Sequence, residues 1–138
     1  MSHAKRLKIE FGDFQTPQSL AQDVCAILRS HGISPDVVIE PTCGIGAFVY
    51  AAAKEFSSAK EVIGFEINDS YLTRLQAGTS GLAEAEKIRL ESADFFSKNW
   101  KEEFSSKSGS ILVLGNLPWV TNSTLGNIGG SNLPEKSN

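Results

Sequence analysis

The stretch Asp36-Val37-Val38-Ile39-Glu40-Pro41-Thr42-Cys43-Gly44-Ile45-Gly46-Ala47 decides the fold. Val37 to Ile39 is a short, continuous apolar run bounded by acids, the pattern of a strand buried on both faces. A glycine-containing loop follows from Pro41 to Gly46, where residues without a Cβ let the backbone turn tightly and approach other groups closely. Ala47 to Phe56 is Ala-rich and reads as a helix. The chain then repeats this unit. Glu61 to Glu66 predicts a second buried strand, and Asp69 to Ala77, with Tyr71, Leu72 and Leu75, a helix. Lys87 to Glu91 and Ser110 to Leu114 predict a third and a fourth strand, the last the most apolar. Upstream, Thr16 as N-cap and Pro17 in the first turn open a helix. Leu20, Val24, Ile27 and Leu28 line one of its faces, and His31-Gly32 closes it. Residues 7–15 read as irregular or weakly extended, 98–107 as a solvated charged segment, and 121–138 as a Gly-, Asn- and Ser-rich loop.

Strands alternating with helices imply an α/β fold, a parallel sheet with right-handed crossovers and helices on both faces. Such sheets bind ligands at the carboxyl ends of their strands, beside the switch in strand order. The unusual residues cluster just there: Glu40 to Gly46, Glu66, Asp94, and Asn116-Leu117-Pro118-Trp119. No strand follows to cover the apolar fourth one. An open apolar edge invites pairing with another chain. The expectation is therefore a single, partial domain over 1–138, apparently truncated after the fourth strand, with self-association through that edge as one outcome.

The 138 residues suffice for one domain and one core. No apolar run approaches the roughly 20 residues of a membrane span, and Met1 to Lys8 lacks the apolar stretch of a secretory signal. The two cysteines, Cys25 and Cys43, lack metal-type spacing, so a reduced, cytoplasmic setting is expected and no metal. A net charge of -3 argues against a complete nucleic-acid-binding protein, which needs a basic face. His3 and His31 have no partner for a triad or a metal site. Cys43 has none of the surroundings of a nucleophile.

Each candidate site residue has a plainer reading. Gly44 and Gly46 could serve a tight turn alone. However, Glu40 beside them would repel a pyrophosphate and suit a ligand carrying an ammonium or sulfonium group. Glu66 could accept both hydroxyls of a ribose, or be a solvated strand-end acid. Asp94 could accept from an adenine amino group beside Phe95, or cap a helix. In Asn116-Leu117-Pro118-Trp119, the Asn116 side-chain oxygen and the Leu117 carbonyl would accept both hydrogens of an arylamine. That would localise a lone pair otherwise delocalised into the ring. Pro118 would stiffen the turn, and Trp119 would stack on a flipped-out base. The plainer reading is a turn with a half-buried tryptophan.

Taken together, these pieces resemble the amino-methylating DNA methyltransferases, in the subgroup whose methionine-binding motif comes first. Phe11-Gly12-Asp13-Phe14-Gln15-Thr16-Pro17 is similar to that first motif. Glu40 to Phe48 resembles the glycine motif, Gly64-Phe65-Glu66-Ile67-Asn68 the ribose motif, and Ala93-Asp94-Phe95-Phe96 the adenine motif. Asn116 to Trp119 resembles the catalytic Asn/Asp/Ser-Pro-Pro-aromatic motif. Five motifs in the family's order, spread over residues 11 to 119, are far more specific than any one.

The resemblance implies a Rossmann-like class I fold and S-adenosylmethionine as cofactor. It implies transfer of a methyl group to the exocyclic amine of adenine in DNA, within a restriction-modification type system. Phe14, Thr16 and Pro17 would contact the methionine end, with Glu40, Cys43, Gly44, Gly46 and Phe48 around it. Glu66 and Ile67 would hold the ribose, and Asp94 and Phe95 the adenine ring. Asn116, Leu117, Pro118 and Trp119 would hold the target base, with Asn116 also beside the cofactor. Leu117 departs from the family, which usually has proline there. It keeps the carbonyl but loses a fixed φ. The DNA-recognition region is missing, so DNA would be bound through a C-terminal part outside these residues, and this chain alone would be inactive or nearly so.

Asparagine at 116 favours adenine, whereas tryptophan at 119 leans towards cytosine. The competing readings are a glutamine- or RNA-directed amine methyltransferase, a non-catalytic cofactor-binding scaffold, and a dinucleotide-binding domain. The last lacks its third glycine.

Overall fold

The computed structural model describes residues 15–118. Residues 15–116 form one compact unit, and Leu117 and Pro118 belong to a second with 1–14 and 119–138. Phe14 and Trp119, and the segments 7–14 and 121–138 for which the sequence gives expectations, lie outside the described residues.

Four strands, β1 (Val37–Glu40), β2 (Glu61–Glu66), β3 (Ile88–Ser92) and β4 (Ile111–Val113), form one sheet in the order β3-β2-β1-β4. Every pairing is parallel, with Val38 opposite both Val62 and Leu112. The order reverses between β1 and β4, so the crevice expected of such sheets opens at Glu40 and at the residues after Val113. Among the described residues β4 pairs only with β1, which makes it an edge. At the opposite end of this pair, the Asp36 carboxylate accepts from the Ser110 backbone N–H at 2.8 Å and from its hydroxyl at 3.1 Å. Those bonds hold the Asp36 carboxyl below its usual pKa and fix the register of β4.

Among the described residues four α-helices accompany the strands: α1 (Gln18–Ser30), α2 (Ala47–Glu55), α3 (Asp69–Thr79) and α4 (Trp100–Ser105). The first begins one residue later than Thr16 as N-cap would place it. Pro17 sits at the cap with φ -59° and ψ 140°, and no side chain caps the end. The ψ of Pro17 lies in the extended region, so Pro17 itself is the non-helical boundary residue and Thr16 falls outside the helix.

Alternate residues of the strands face opposite layers. Val38, Val62, Ile88, Leu90 and Leu112 pack with Ala21 and Cys25 of α1, with the small residues and Val49 of α2, and with Leu75 of α3. Ala51, Ala52 and Ala53 are nearly fully buried, and their small size lets α1 lie close to α2. On the other face Val37, Ile39, Ile63, Phe65 and Ile111 meet Trp100 and Phe104 of α4. Fully burying a side chain such as Phe65 or Val49 contributes about 1.5–3 kcal/mol.

The helix α4 corrects the reading of 98–107 as a solvated segment. The Trp100 ring meets Phe65 edge-on at 5.3 Å and stacks on Phe104 at 5.9 Å. Lys98 pairs with Glu103 at 3.0 Å, and Lys107 reaches both Glu103 and Glu61. The charges therefore form a half-buried network over an apolar face. Asn99 caps the helix by accepting from the Glu102 N–H at 3.2 Å. Asn99-Trp100-Lys101-Glu102 has capping-box spacing, the signal that could have found this helix.

Candidate functional site

The site is built from the loops that leave the carboxyl ends of the strands. After β1, Pro41 to Gly46 descends into α2, and its amides are all committed inside the protein. The Thr42 N–H donates to Glu40 Oε1 at 3.1 Å, and the Gly44 N–H to Glu66 Oε2 at 2.7 Å. The Ile45 N–H donates to Gln15 Oε1 at 3.1 Å. The Cys43 N–H meets the Phe65 carbonyl and the Gly46 N–H the Cys43 carbonyl, both at 2.8 Å. Pro41 has no N–H to offer. A pyrophosphate cradle needs such amides free and pointing at the anion. This loop instead spends them on two carboxylates, a carboxamide and two carbonyls.

The two glycines are required by the backbone. Gly44 has φ +55° and Gly46 φ +92°, a region that side chains disfavour. A Cβ on Gly46 would also collide with Leu75, and one on Gly44 with the Gln15 carboxamide.

Two acids stand at the ends of neighbouring central strands. Glu40 is 3% exposed and Glu66 9% exposed. Burial raises the Glu40 pKa to about 7, and the negative charge of Glu66 adds to the rise against the opposing Thr42 hydrogen bond. The Glu66 carboxylate also accepts the Asn68 N–H at 2.8 Å, through Oε1. It therefore ties the glycine loop to the turn that starts α3, where Asn68 caps the helix. Each of its oxygens keeps acceptor capacity beyond one amide. Buried paired negative charge is a poor place for an anion and a good one for a cation.

After β3, Asp94 Oδ1 accepts the Phe96 N–H at 3.0 Å, and the Asp94 carbonyl accepts from Ser97 and Lys98. This local turn holds the carboxylate beside the strand end; the helix cap nearby is Asn99. The Phe95 ring touches Phe96 at 5.2 Å and Trp100 at 5.6 Å. The Trp100 indole N–H donates to the Phe95 carbonyl at 2.8 Å, so α4 anchors this turn. Ile67 and Phe96, following Glu66 and Asp94, are both exposed apolar side chains at the ligand end.

After β4 the Leu114 N–H still bonds the Ile39 carbonyl at 3.1 Å, and Gly115 then turns the chain across the Glu40 carboxyl group. The Asn116 carbonyl accepts the Thr42 hydroxyl at 3.3 Å. This bond joins the glycine loop to the chain that leaves β4. Leu117 is exposed and Pro118 half-buried.

Residues 15–116 thus bring Glu40, Gly44, Gly46, Glu66, Ile67, Asp94, Phe95 and Asn116 to one end of the sheet. Cys43 and Phe48 are nearly buried in the core layer of α2. Burial and both acids hold the Cys43 thiol far above its usual range, and burial pushes that of Cys25 to about 11. Neither is an activated nucleophile. Thr16 and Pro17 lead into α1. His31 Nδ1 lies 2.9 Å from the Ile27 carbonyl at the end of α1, a local helix-end contact. Among the described residues no cluster could hold a metal ion, and no helix is long and apolar enough to cross a membrane. Gln15 is the residue that sequence reasoning passed over. Its signal was its position next to Thr16-Pro17, within a motif already singled out.

The chain is 44% identical over 136 residues to the type II methyltransferase M.NspV of Nostoc sp.. The match covers 99% of this chain, which spans only 28% of that relative's length. Among solved structures it resembles a Pyrococcus horikoshii protein assigned as an RNA methyltransferase, with TM-score 0.58 and 21% identity over 79% of this chain and 51% of that one. It also resembles an RNA methyltransferase from Salinibacter ruber in complex with S-adenosyl-L-homocysteine, with TM-score 0.52 and 17% identity over 88% and 72% of the two chains. No family model matches. At these identities the structural likeness establishes the fold, which is Rossmann-like and of the methyltransferase type.

Proposed function

Since the chain is a relative of a type II methyltransferase and has the Rossmann-like methyltransferase fold, we propose that it binds S-adenosylmethionine and forms the catalytic core of a DNA methyltransferase acting on the exocyclic amine of adenine. The single observation that carries the reading is the Thr42–Asn116 hydrogen bond. It couples the glycine loop to Asn116, the first residue of the proposed amine-binding motif, at the switch in strand order. The Asn116 acceptor then lies at the same end of the sheet as the cofactor loop.

The cofactor supplies an electrophilic methyl on a sulfonium centre. The paired carboxylates Glu40 and Glu66 favour that positive charge, and the committed loop amides disfavour a dinucleotide. Glu40 and the glycine loop, with Phe14, Thr16 and Pro17, surround the methionine end, while Cys43 and Phe48 form the floor of the loop. Glu66 accepts from the ribose hydroxyls with its remaining lone pairs. Ile67 lies beside the ribose, Phe95 flanks the adenine ring, and Asp94 accepts from its amino group.

Asn116 Oδ1 and the Leu117 carbonyl would accept hydrogen bonds from the two N–H groups of the target amine, leaving its lone pair free to attack the methyl group the cofactor would supply. Pro118 restrains the segment, and Trp119 stacks on the flipped base. No covalent enzyme intermediate is involved, so catalysis rests on positioning and electrostatics. DNA is held by parts of a longer protein outside this chain, and the 138 residues alone transfer methyl groups to DNA negligibly.

Calorimetric titration of the chain with S-adenosylmethionine, alongside Glu66→Ala and Asp94→Ala, tests the cofactor site. Saturable binding weakened by both substitutions is expected; no binding sinks the reading. For the substrate, a longer protein containing this sequence is incubated with labelled cofactor and DNA, RNA or protein, and the DNA is hydrolysed to nucleosides. Label in N6-methyladenine is expected, and label in N4-methylcytosine, RNA or glutamine would redirect the assignment. Asn116→Ala should abolish transfer while weakening cofactor binding far less than Glu66→Ala does.

A further inference from the structure

Of the five amides between Thr42 and Gly46, four are held by acceptors on β1, β2 or the loop itself. The fifth, Ile45 N–H, is held by a side chain from another part of the fold, Gln15, just ahead of α1. The Gln15 carboxamide also covers Gly44, where a Cβ would come within 3.0 Å of Nε2. Gly44 is thus pinned on two sides, its N–H by the Glu66 carboxylate and its α-carbon by Gln15. A second bond ties the same regions together, from Gln18 Nε2 to the Ala47 carbonyl at 3.4 Å.

We infer that Gln15 is a positioning residue for the cofactor, clamping the glycine loop at Ile45 so that Glu40 and Glu66 keep the spacing a sulfonium ligand needs. The inference rests on the proposed cofactor site and adds to it the residue that sets the loop conformation. A glutamine suits the task. Its amide oxygen accepts without adding a third negative charge beside two buried acids. Its length lets it reach over Gly44, the residue that alone leaves room for it.

The test compares the wild-type chain with Gln15→Met, which keeps length but has no such acceptor, and Gln15→Glu, which restores the acceptor. Hydrogen exchange of backbone amides is followed by NMR without ligand, and S-adenosylmethionine affinity by calorimetry. In Gln15→Met the Ile45 amide should exchange about ten-fold faster, while the Gly44 amide keeps its protection. Cofactor affinity should fall about five-fold, the size expected from one hydrogen bond. In Gln15→Glu the Ile45 protection should return. Unchanged Ile45 exchange in a folded Gln15→Met chain overturns the clamp, as does unchanged affinity with Ile45 deprotected. A wild-type chain that binds no S-adenosylmethionine refutes the functional reading, and with it a cofactor role for Gln15. The exchange result still reports whether the contact exists.

Discussion

Glu40 offers the sharpest prediction because its environment is costly for the charged form. Folding moves its pKa from an ordinary 4.5 to about 7 by burial and the nearby Glu66 charge. The native state therefore holds this proton longer than the unfolded chain does. Stability is greatest below the unfolded value, declines as pH rises from 4.5 through about 7, and is flat above that. At about 1.4 kcal/mol per pH unit the interval amounts to about 3 kcal/mol. Glu40→Gln keeps the shape and an oxygen for the Thr42 N–H, but it does not titrate. Urea unfolding of both chains between pH 4.5 and 8 isolates the effect, because other groups titrate alike in the two. The variant should match the wild type near pH 4.5 and exceed it by up to about 3 kcal/mol at pH 8, while binding S-adenosylmethionine less tightly. Wild-type binding should release a proton near pH 7, seen as a binding enthalpy that depends on the buffer. Parallel stability profiles for the two chains would refute the argument.

Glu66→Ala removes the acceptor of two backbone amides, at 2.7 and 2.8 Å, and should cost about 2–4 kcal/mol in urea unfolding. Gly46→Ala forces a side chain into φ +92° and against Leu75, so a loss of at least about 2 kcal/mol is expected. Adding Leu75→Ala should relieve the clash but not the strain, and melting curves of the single and double variants check this. Trp100→Phe keeps the ring packing but loses the bond to the Phe95 carbonyl. It should cost about 1 kcal/mol and weaken cofactor binding through the Asp94 turn, whereas an unchanged affinity would separate α4 from the site.

The alternation of buried apolar runs with helical stripes was enough to place β1 to β4 and three of the helices within one or two residues, since burial on both faces leaves a local, periodic mark. The ligand-end residues were legible for the same reason: Glu40, Gly44, Glu66, Asp94 and Asn116 each interrupt the pattern just after a strand. Three things were not legible. The helix α4 hid behind its charges, because Lys98, Glu103 and Lys107 pair with one another and with Glu61 across the sheet, a partner no local window contains. The start of α1 moved by one residue because Pro17 takes an extended ψ and itself becomes the boundary, with no side-chain cap. The roles of Gln15 and of the Thr42–Asn116 bond depend on residues 30 and 74 positions apart. Sequence by itself determined which residues are buried, where strands end and which chemistry clusters after them, because those follow from local hydrophobicity and backbone freedom. Only the tertiary structure decided which amides the glycine loop has left to offer and how far Glu40 is pushed towards neutrality, because hydrogen-bond partners and desolvation are set by groups that meet only when the sheet is assembled.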